Sequence, residues 1–328
     1  MVTKYGLTRN QIGKDTINFP DWQEFEKSIL RDPEVHSIDR SRVFRFLSSA
    51  AFRIYRKVGN AIGIKPPYEI PIASHSDVRI AILGGPAFRR CPDFILGGKK
   101  VAYLYDPTPP WVTYDNIAKF VEDAGISVLF VPHPIFRDRI QPLLSGCKVF
   151  YLPEGVDPGE YHAQENKSID LLTFGRKFPE YHQALLKGLP NTIKYHHGWL
   201  DTREDLINSL GRAKIVINFP RSFTEPELDV EMATMRYFQS MASKALVLGH
   251  CPPLLKEVFG YDPIISVDHS NPCEQVIDLL NHYSNYQELI EKNYQTLTSH
   301  HTFWHRWLAM KEILMDESDD RNAARSQH

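Results

Sequence analysis

The 328-residue sequence predicts an α/β protein built as two doubly wound domains. Three observations support this. Short apolar runs rich in β-branched residues, such as KIVINFP (214–220) and ALVLGH (245–250), are continuous rather than alternating, as expected of parallel strands buried on both faces. Helix-like stretches separate these runs, and parallel neighbours need a crossover that a helix usually supplies. The length also exceeds what one hydrophobic core commonly fills, so two domains are the better division.

The first domain, 1–150, opens with a helical extension. Residues 21–32 carry Trp22, Phe25 and Ile29 at helical spacing behind an Asp21 cap, and a second helix is expected over 40–57. Residues 64–77 hold three prolines and form a linker or extended segment. Strands are expected at 79–85, 99–106, 127–133 and 148–154, with a helix over 114–124, giving a Rossmann-like half. The second domain, 151–299, is more regular. Its strands are expected at 169–174, 192–197, 214–219, 245–249 and 263–267, and its helices at 179–186, 202–210, 229–241, 253–259 and 272–283. A closing helix over 300–315 precedes a polar tail, 316–328, that lacks apolar anchors and is expected to be disordered.

A formal charge of -2 argues against broad nucleic-acid binding, which normally needs a strongly basic face. Cys91, Cys147, Cys251 and Cys273 are scattered without a C-x-x-C pair, so neither a zinc site nor a disulfide framework is indicated. No stretch approaches the roughly 20 apolar residues that span a bilayer, and the N-terminus lacks the apolar core of a secretory signal. A cytoplasmic protein is expected.

Chemistry concentrates between 214 and 250. The connection between the two apolar runs carries Arg221, Glu225, Glu227, Asp229, Glu231 and Arg236, and in open α/β sheets ligands bind at the carboxyl ends of strands. A phosphorylated ligand gripped by arginines fits this pattern. Upstream, Gly175 allows close backbone approach to a phosphate, and Arg176 and Lys177 follow it directly.

Glu231, seven intervening residues and then Gln239 followed by Ser-Met-Ala resemble the Glu-x7-Glu signature of retaining nucleotide-sugar glycosyltransferases of GT-B fold, with an amide in place of the second acid. YLPEGVDPGEY (151–161) resembles the interdomain segment of that group, DLLTFGRK (170–177) its strand and phosphate-facing loop, and HTFWHRW (301–307) the closing helix of a bacterial branch. The resemblance covers roughly 150–315. It implies two Rossmann-like domains facing a cleft, with the C-terminal helix returning to the N-terminal domain.

The resemblance further implies transfer of a sugar from a nucleoside diphosphate sugar to a glycan or glycolipid acceptor, with a retaining outcome, as in polysaccharide biosynthesis. Glu231 would lie near the donor sugar and Gln239 near the ribose, where an amide accepts one hydrogen bond and donates another. Gly175, Arg176, Lys177, Arg221, Thr234 and Arg236 complete the expected donor site. Charge grows on the distal phosphate as the glycosidic bond breaks, and either a metal or fixed cations must neutralise it. With no D-x-D motif between strands, a cationic clamp without metal or cofactor is expected. Asp106 and His133 end two strands of the first domain and are candidates on the acceptor side.

Residues 40–57 contain Arg40, Arg42, Arg45, Arg53, Arg56 and Lys57 and no acid, opposite an apolar stripe at helical spacing. Such a helix can lie on an anionic bilayer, which points to a lipid-linked acceptor and peripheral attachment, or it can pack on its own domain. The alternatives are an epimerase of the same fold, a DNA-modifying glycosyltransferase and an inactive nucleotide-binding module.

Overall fold

The computed structural model describes residues 4–9, 20–39, 42–70, 76–84, 96–108, 112–225 and 227–325. The chain divides into two compact units, one reaching Pro153 and the other running from Glu154. Each holds one parallel sheet flanked by helices.

The first unit contains, in chain order, β1 (Tyr5–Thr8), α1 (Pro20–Ile29), β2 (Val35–Ile38), α2 (Arg42–Ala61), β3 (Val78–Gly84), β4 (Lys99–Tyr105), α3 (Tyr114–Ala124), β5 (Val128–Val131), α4 (Pro134–Ile140) and β6 (Lys148–Tyr151). The six strands pair in parallel in the order β2-β1-β3-β4-β5-β6. Every residue of β3 is buried, which explains its unbroken apolar run. Helix α3 starts on Thr113, whose hydroxyl accepts from the Asn116 amide at 3.3 Å, and stops at Gly125 in the left-handed region (φ 67). Helix α1 begins at Pro20 rather than behind an Asp21 cap, because proline suits a first helical turn whose amide needs no partner. Helix α2 extends past the expected 57 to Ala61, as no proline or helix-ending glycine motif intervenes.

The second unit contains β7 (Ile169–Phe174), α5 (Pro179–Gly188), β8 (Tyr195–Gly198), α6 (Arg203–Arg212), β9 (Ala213–Asn218), α7 (Met235–Ala242), β10 (Leu246–Gly249), α8 (Pro253–Phe259), β11 (Ile265–Ser266), α9 (Pro272–Asn281), α10 (Gln287–His300) and α11 (Phe303–Arg325). Its strands pair in the order β11-β10-β9-β7-β8, all parallel. Alternate strand residues feed two cores: Leu172, Val216 and Val247 pack on one face, and Leu171, Ile215 and Leu246 on the other. Chain order reverses between β7 and β9, making their carboxyl ends the topological switch point where ligands bind in open α/β sheets.

Two expectations change here. The helix expected over 229–241 starts only at Met235; residues 227–232 alternate between exposed or half-buried and buried positions, with Leu228, Val230 and Met232 turned inward, the pattern of an extended segment. The helix expected to close at 315 continues as α11 to Arg325, through a run without glycine or proline to interrupt it. Among the described residues, no helix is long and apolar enough to cross a membrane.

Candidate active site

The loops after β7 and β9 meet at the switch point of the second sheet. Gly175 follows β7 at φ 69, and a methyl group there would meet no atom within 4 Å, so the backbone borders open space. Arg176 comes next, its Nε 2.9 Å from Glu225 Oε1. From the β9 loop, the buried Arg221 donates Nε and Nη2 to Glu225 Oε2 at 2.8 and 2.5 Å. Two guanidinium groups therefore share one carboxylate. Burial pushes the Glu225 carboxyl up, but its hydrogen bonds from Arg221 and the charges of Arg221 and Arg176 outweigh this and hold it below the usual range.

Arg236, in the first turn of α7, joins both loops by donating Nη1 to the Arg176 carbonyl (3.0 Å) and Nη2 to the Phe219 carbonyl (2.9 Å). Asn218 ends β9 and ties the sheet to α7, donating Nδ2 to the Arg236 carbonyl at 3.2 Å and to Ser240 Oγ at 3.1 Å. Thr234 occupies the cap position of α7 without a side-chain capping bond, and its buried hydroxyl oxygen has no partner among the described residues. The helix thus presents a positive dipole end at the switch point without side-chain capping.

Glu231 lies ahead of α7, a third exposed (36%), with Oε2 2.8 Å from His250 Nε2. His250 is the first residue after β10. Its amide donates to the Asn218 carbonyl at 3.1 Å, its carbonyl accepts from Tyr237 Oη at 2.7 Å, and its ring centroid lies 4.7 Å from that of Phe223. Gly249 makes this approach feasible: a Cβ there would fall 1.8 Å from the Asn218 carbonyl oxygen. Gln239 is 3% exposed, buried on α7, so the two ends of the Glu-x7-Gln motif occupy different environments.

Lys177 borders a small cleft with Thr173, Phe178, Tyr181 and His182. Behind it His182 Nδ1 lies 2.7 Å from Tyr195 Oη, which lies 3.1 Å from Thr173 Oγ1. Burial lowers the pKa of His182 and His197, and the Lys177 charge lowers both further, so neutral rings line this side. Phe178, Phe219, Phe223 and His269 form an aromatic cluster at the same edge, with Phe178–Phe219 centroids 5.2 Å apart.

Asp106 and His133 belong to the first unit, at the carboxyl ends of the adjacent strands β4 and β5. Asp106 is exposed, with a left-handed backbone (φ 45) and its carbonyl accepting from the Thr108 amide. His133 caps α4, its Nδ1 accepting from the Ile135 amide at 3.2 Å, and burial followed by the charge of Arg139 lowers its pKa. The loops after β1 and β3, at the switch point of the first sheet, lie outside the described residues, as does Cys91.

The arrangement joins Gly175, Arg176, Lys177, Arg221, Thr234 and Arg236 around one edge, with Glu231 on its β10 side. His250 and the aromatic cluster were missed from the sequence. The only sequence signal for His250 is its place directly after a buried strand.

Residues 161–314 match the family model described as glycosyl transferase-like, spanning all of the second sheet. No curated protein matches the chain. Among solved structures, it resembles HepE of Anabaena, crystallised with UDP and glucose, at 10% identity and a TM-score of 0.62, covering 95% of this chain and 100% of that one. It also resembles an alpha-glucosyltransferase in complex with UDP and a 13-mer DNA containing an HMU base, at 10% identity and a TM-score of 0.56, covering 95% and 99%. It spans about half the length of TarM of S. aureus, covering 70% of this chain and 55% of that one at 13% identity and a TM-score of 0.49. At such identities what is shared is the fold, two parallel sheets with flanking helices as in GT-B glycosyltransferases.

Proposed function

We propose that this chain, a GT-B-fold protein with a glycosyltransferase domain over residues 161–314, moves a sugar from a nucleoside diphosphate sugar to a glycan or glycolipid acceptor with retention and without a metal. The observation that carries this reading is the convergence of Arg176 and Arg221 on Glu225 at the switch point between β7 and β9. Of the two, Arg176 is partly exposed and stands beside open backbone at Gly175. A diphosphate would lie against that backbone and the Arg176 guanidinium, with the uncapped end of α7 adding a fixed dipole. As the glycosidic bond breaks, the charge developing on the distal phosphate would meet groups already in place, which is the economical route to transition-state stabilisation.

Glu231 takes the position beside the donor sugar in this scheme, with His250 holding its carboxylate. Phe178, Phe219 and Phe223 supply an apolar surface for a nucleobase. Gln239, buried on α7, would reach the ribose only with altered geometry. Asp106 and His133 are assigned to the acceptor side; His133, with Nδ1 already accepting from a backbone amide, carries its proton on Nε2 when neutral. The cationic clamp predicts turnover that survives EDTA; activity lost on chelation and restored by manganese or magnesium would refute it.

A lipid-linked acceptor is favoured by α2. Val43 (67% exposed), Phe46 (69%), Leu47, Ile54 (63%) and Val58 leave an apolar face uncovered among the described residues, beside exposed Arg53 and Lys57. Contiguous exposed apolar surface of this kind commonly marks an interaction site, and basic residues beside it suit an anionic bilayer. Arg56 differs from its neighbours, pairing with the buried Asp123 of α3 at 3.2 Å, so its charge serves packing within the unit. The Arg42 and Arg45 side chains and all of Arg40 lie outside the described residues.

A further inference from the structure

The amino ends of the second sheet border another cavity, of about 580 Å³. Its walls come from residues 163–168 ahead of β7, the start of β9, the turn between α7 and β10, and the α9–α10 connection. At ~3.3 Å per residue, the length of β9 sets it roughly 20 Å from the switch-point loops. Nothing in the glycosyl-transfer scheme uses it.

Lys167, Lys214 and Lys244 enter this cavity from three different elements. Two of them are neutralised: Lys214 Nζ lies 2.7 Å from Asp170 Oδ1, and Lys244 Nζ 2.7 Å from Glu291 Oε2 and 4.4 Å from the centre of the Tyr294 ring. Lys167 is different. Its Nζ donates to the carbonyls of Ala213 (2.8 Å) and Ser243 (3.1 Å), and no carboxylate pairs with it among the described residues. An ammonium has three donors, and the two carbonyls engage two. Burial without a compensating anion pulls the amine down to about 8. Beside this grip the fully buried Ser243 leaves its hydroxyl oxygen without a partner among the described residues. Glu165 also borders the cavity, so its charge is mixed and the unpaired cation is local to Lys167.

We propose that this cavity binds a small organic anion, whose phosphate or carboxylate group pairs with Lys167 and whose body lies along Tyr283, Gln287 and Ile290. A half-buried cation held only by carbonyls is costly, and an oxyanion supplies the missing charge and accepts the third N–H. The volume falls within the range of small-molecule sites, roughly 300–1,000 Å³. The inference stands independently of the donor-site reading, since it uses the opposite ends of the strands.

Hydrogen exchange of the full chain, with millimolar pyrophosphate and separately with citrate, tests it. At least one anion is expected to protect segments 163–168 and 283–291. Protection by pyrophosphate alone identifies a phosphate site, by citrate alone a carboxylate site, and by both a general oxyanion site. Lys167→Gln, which keeps a donor for the Ala213 carbonyl but loses the charge, should weaken the apparent affinity by about tenfold, as loss of a charge-assisted hydrogen bond does. Should that variant fail to fold, Lys244→Gln at a half-exposed ion pair carries the comparison and should weaken affinity several-fold. Absence of protection by either anion, or undiminished protection in the folded variant, would overturn the proposal.

Discussion

The two units place their unusual surfaces by different means. In the second, the sheet is covered on both faces and charge gathers at one edge, where Arg176, Arg221, Arg236 and Glu225 are brought together from three segments by the reversal of strand order. In the first, the unusual surface is a single helix, α2, whose apolar face is set by sequence periodicity alone. A site made by topology is specific and fails when backbone geometry changes. A surface made by periodicity is additive and responds in proportion to the residues removed.

The largest effect should come from the backbone of the second unit. Gly249→Ala places a methyl group 1.8 Å from the Asn218 carbonyl oxygen, where only strand displacement can relieve the clash. Overpacking of this kind costs about 3 kcal/mol, readable by urea denaturation. Unchanged stability would show that the β9 and β10 ends are not locked as described. Next, Glu231→Gln keeps the shape of the side chain but removes its charge beside His250. Turnover should fall more than about tenfold, equivalent to ~1.4 kcal/mol of barrier, with the unfolding midpoint nearly preserved. Turnover at the wild-type level would remove Glu231 from the reaction.

In the first unit, Arg53→Gln with Lys57→Gln should weaken binding to anionic vesicles by about 2 kcal/mol, since each basic residue near such a surface contributes ~1 kcal/mol. Neutral vesicles serve as the control in co-sedimentation. Negligible binding to both vesicle types would leave α2 as a packing element and direct attention to a soluble glycan acceptor. The Arg56–Asp123 pair stays intact in this variant, so loss of fold does not confound the reading.

How much of this was legible in the sequence depended on range. Strands β3, β4, β7 and β9 were readable because both faces are apolar, leaving continuous runs such as KIVIN. Strands β1 and β2 are four residues each, and β2 exposes His36 and Ser37, so neither carries a pattern long enough to read. The segment 229–234 falls within the helix expected over 229–241, yet the helix starts only at Met235. In the structure Glu231 is instead engaged by His250, a partner nineteen residues away that no local pattern announces. The arginines were found as residue types in ligand-facing loops, but their shared dependence on Glu225 is a product of the strand order and emerged only with the fold.

The central claim, an anion-binding donor site at the switch point of the second sheet, is tested most directly by thermal unfolding of the wild type and Arg176→Gln against nucleoside diphosphates and their sugars. A bound donor at 100 times its dissociation constant should stabilise the wild type by about 2.7 kcal/mol. Arg176→Gln, which removes a half-exposed cation while leaving Arg221 on Glu225, should need a roughly tenfold higher ligand concentration for the same shift, as expected for one charge-assisted hydrogen bond. No stabilisation by any member of the panel, or an identical response from the variant, would contradict the account.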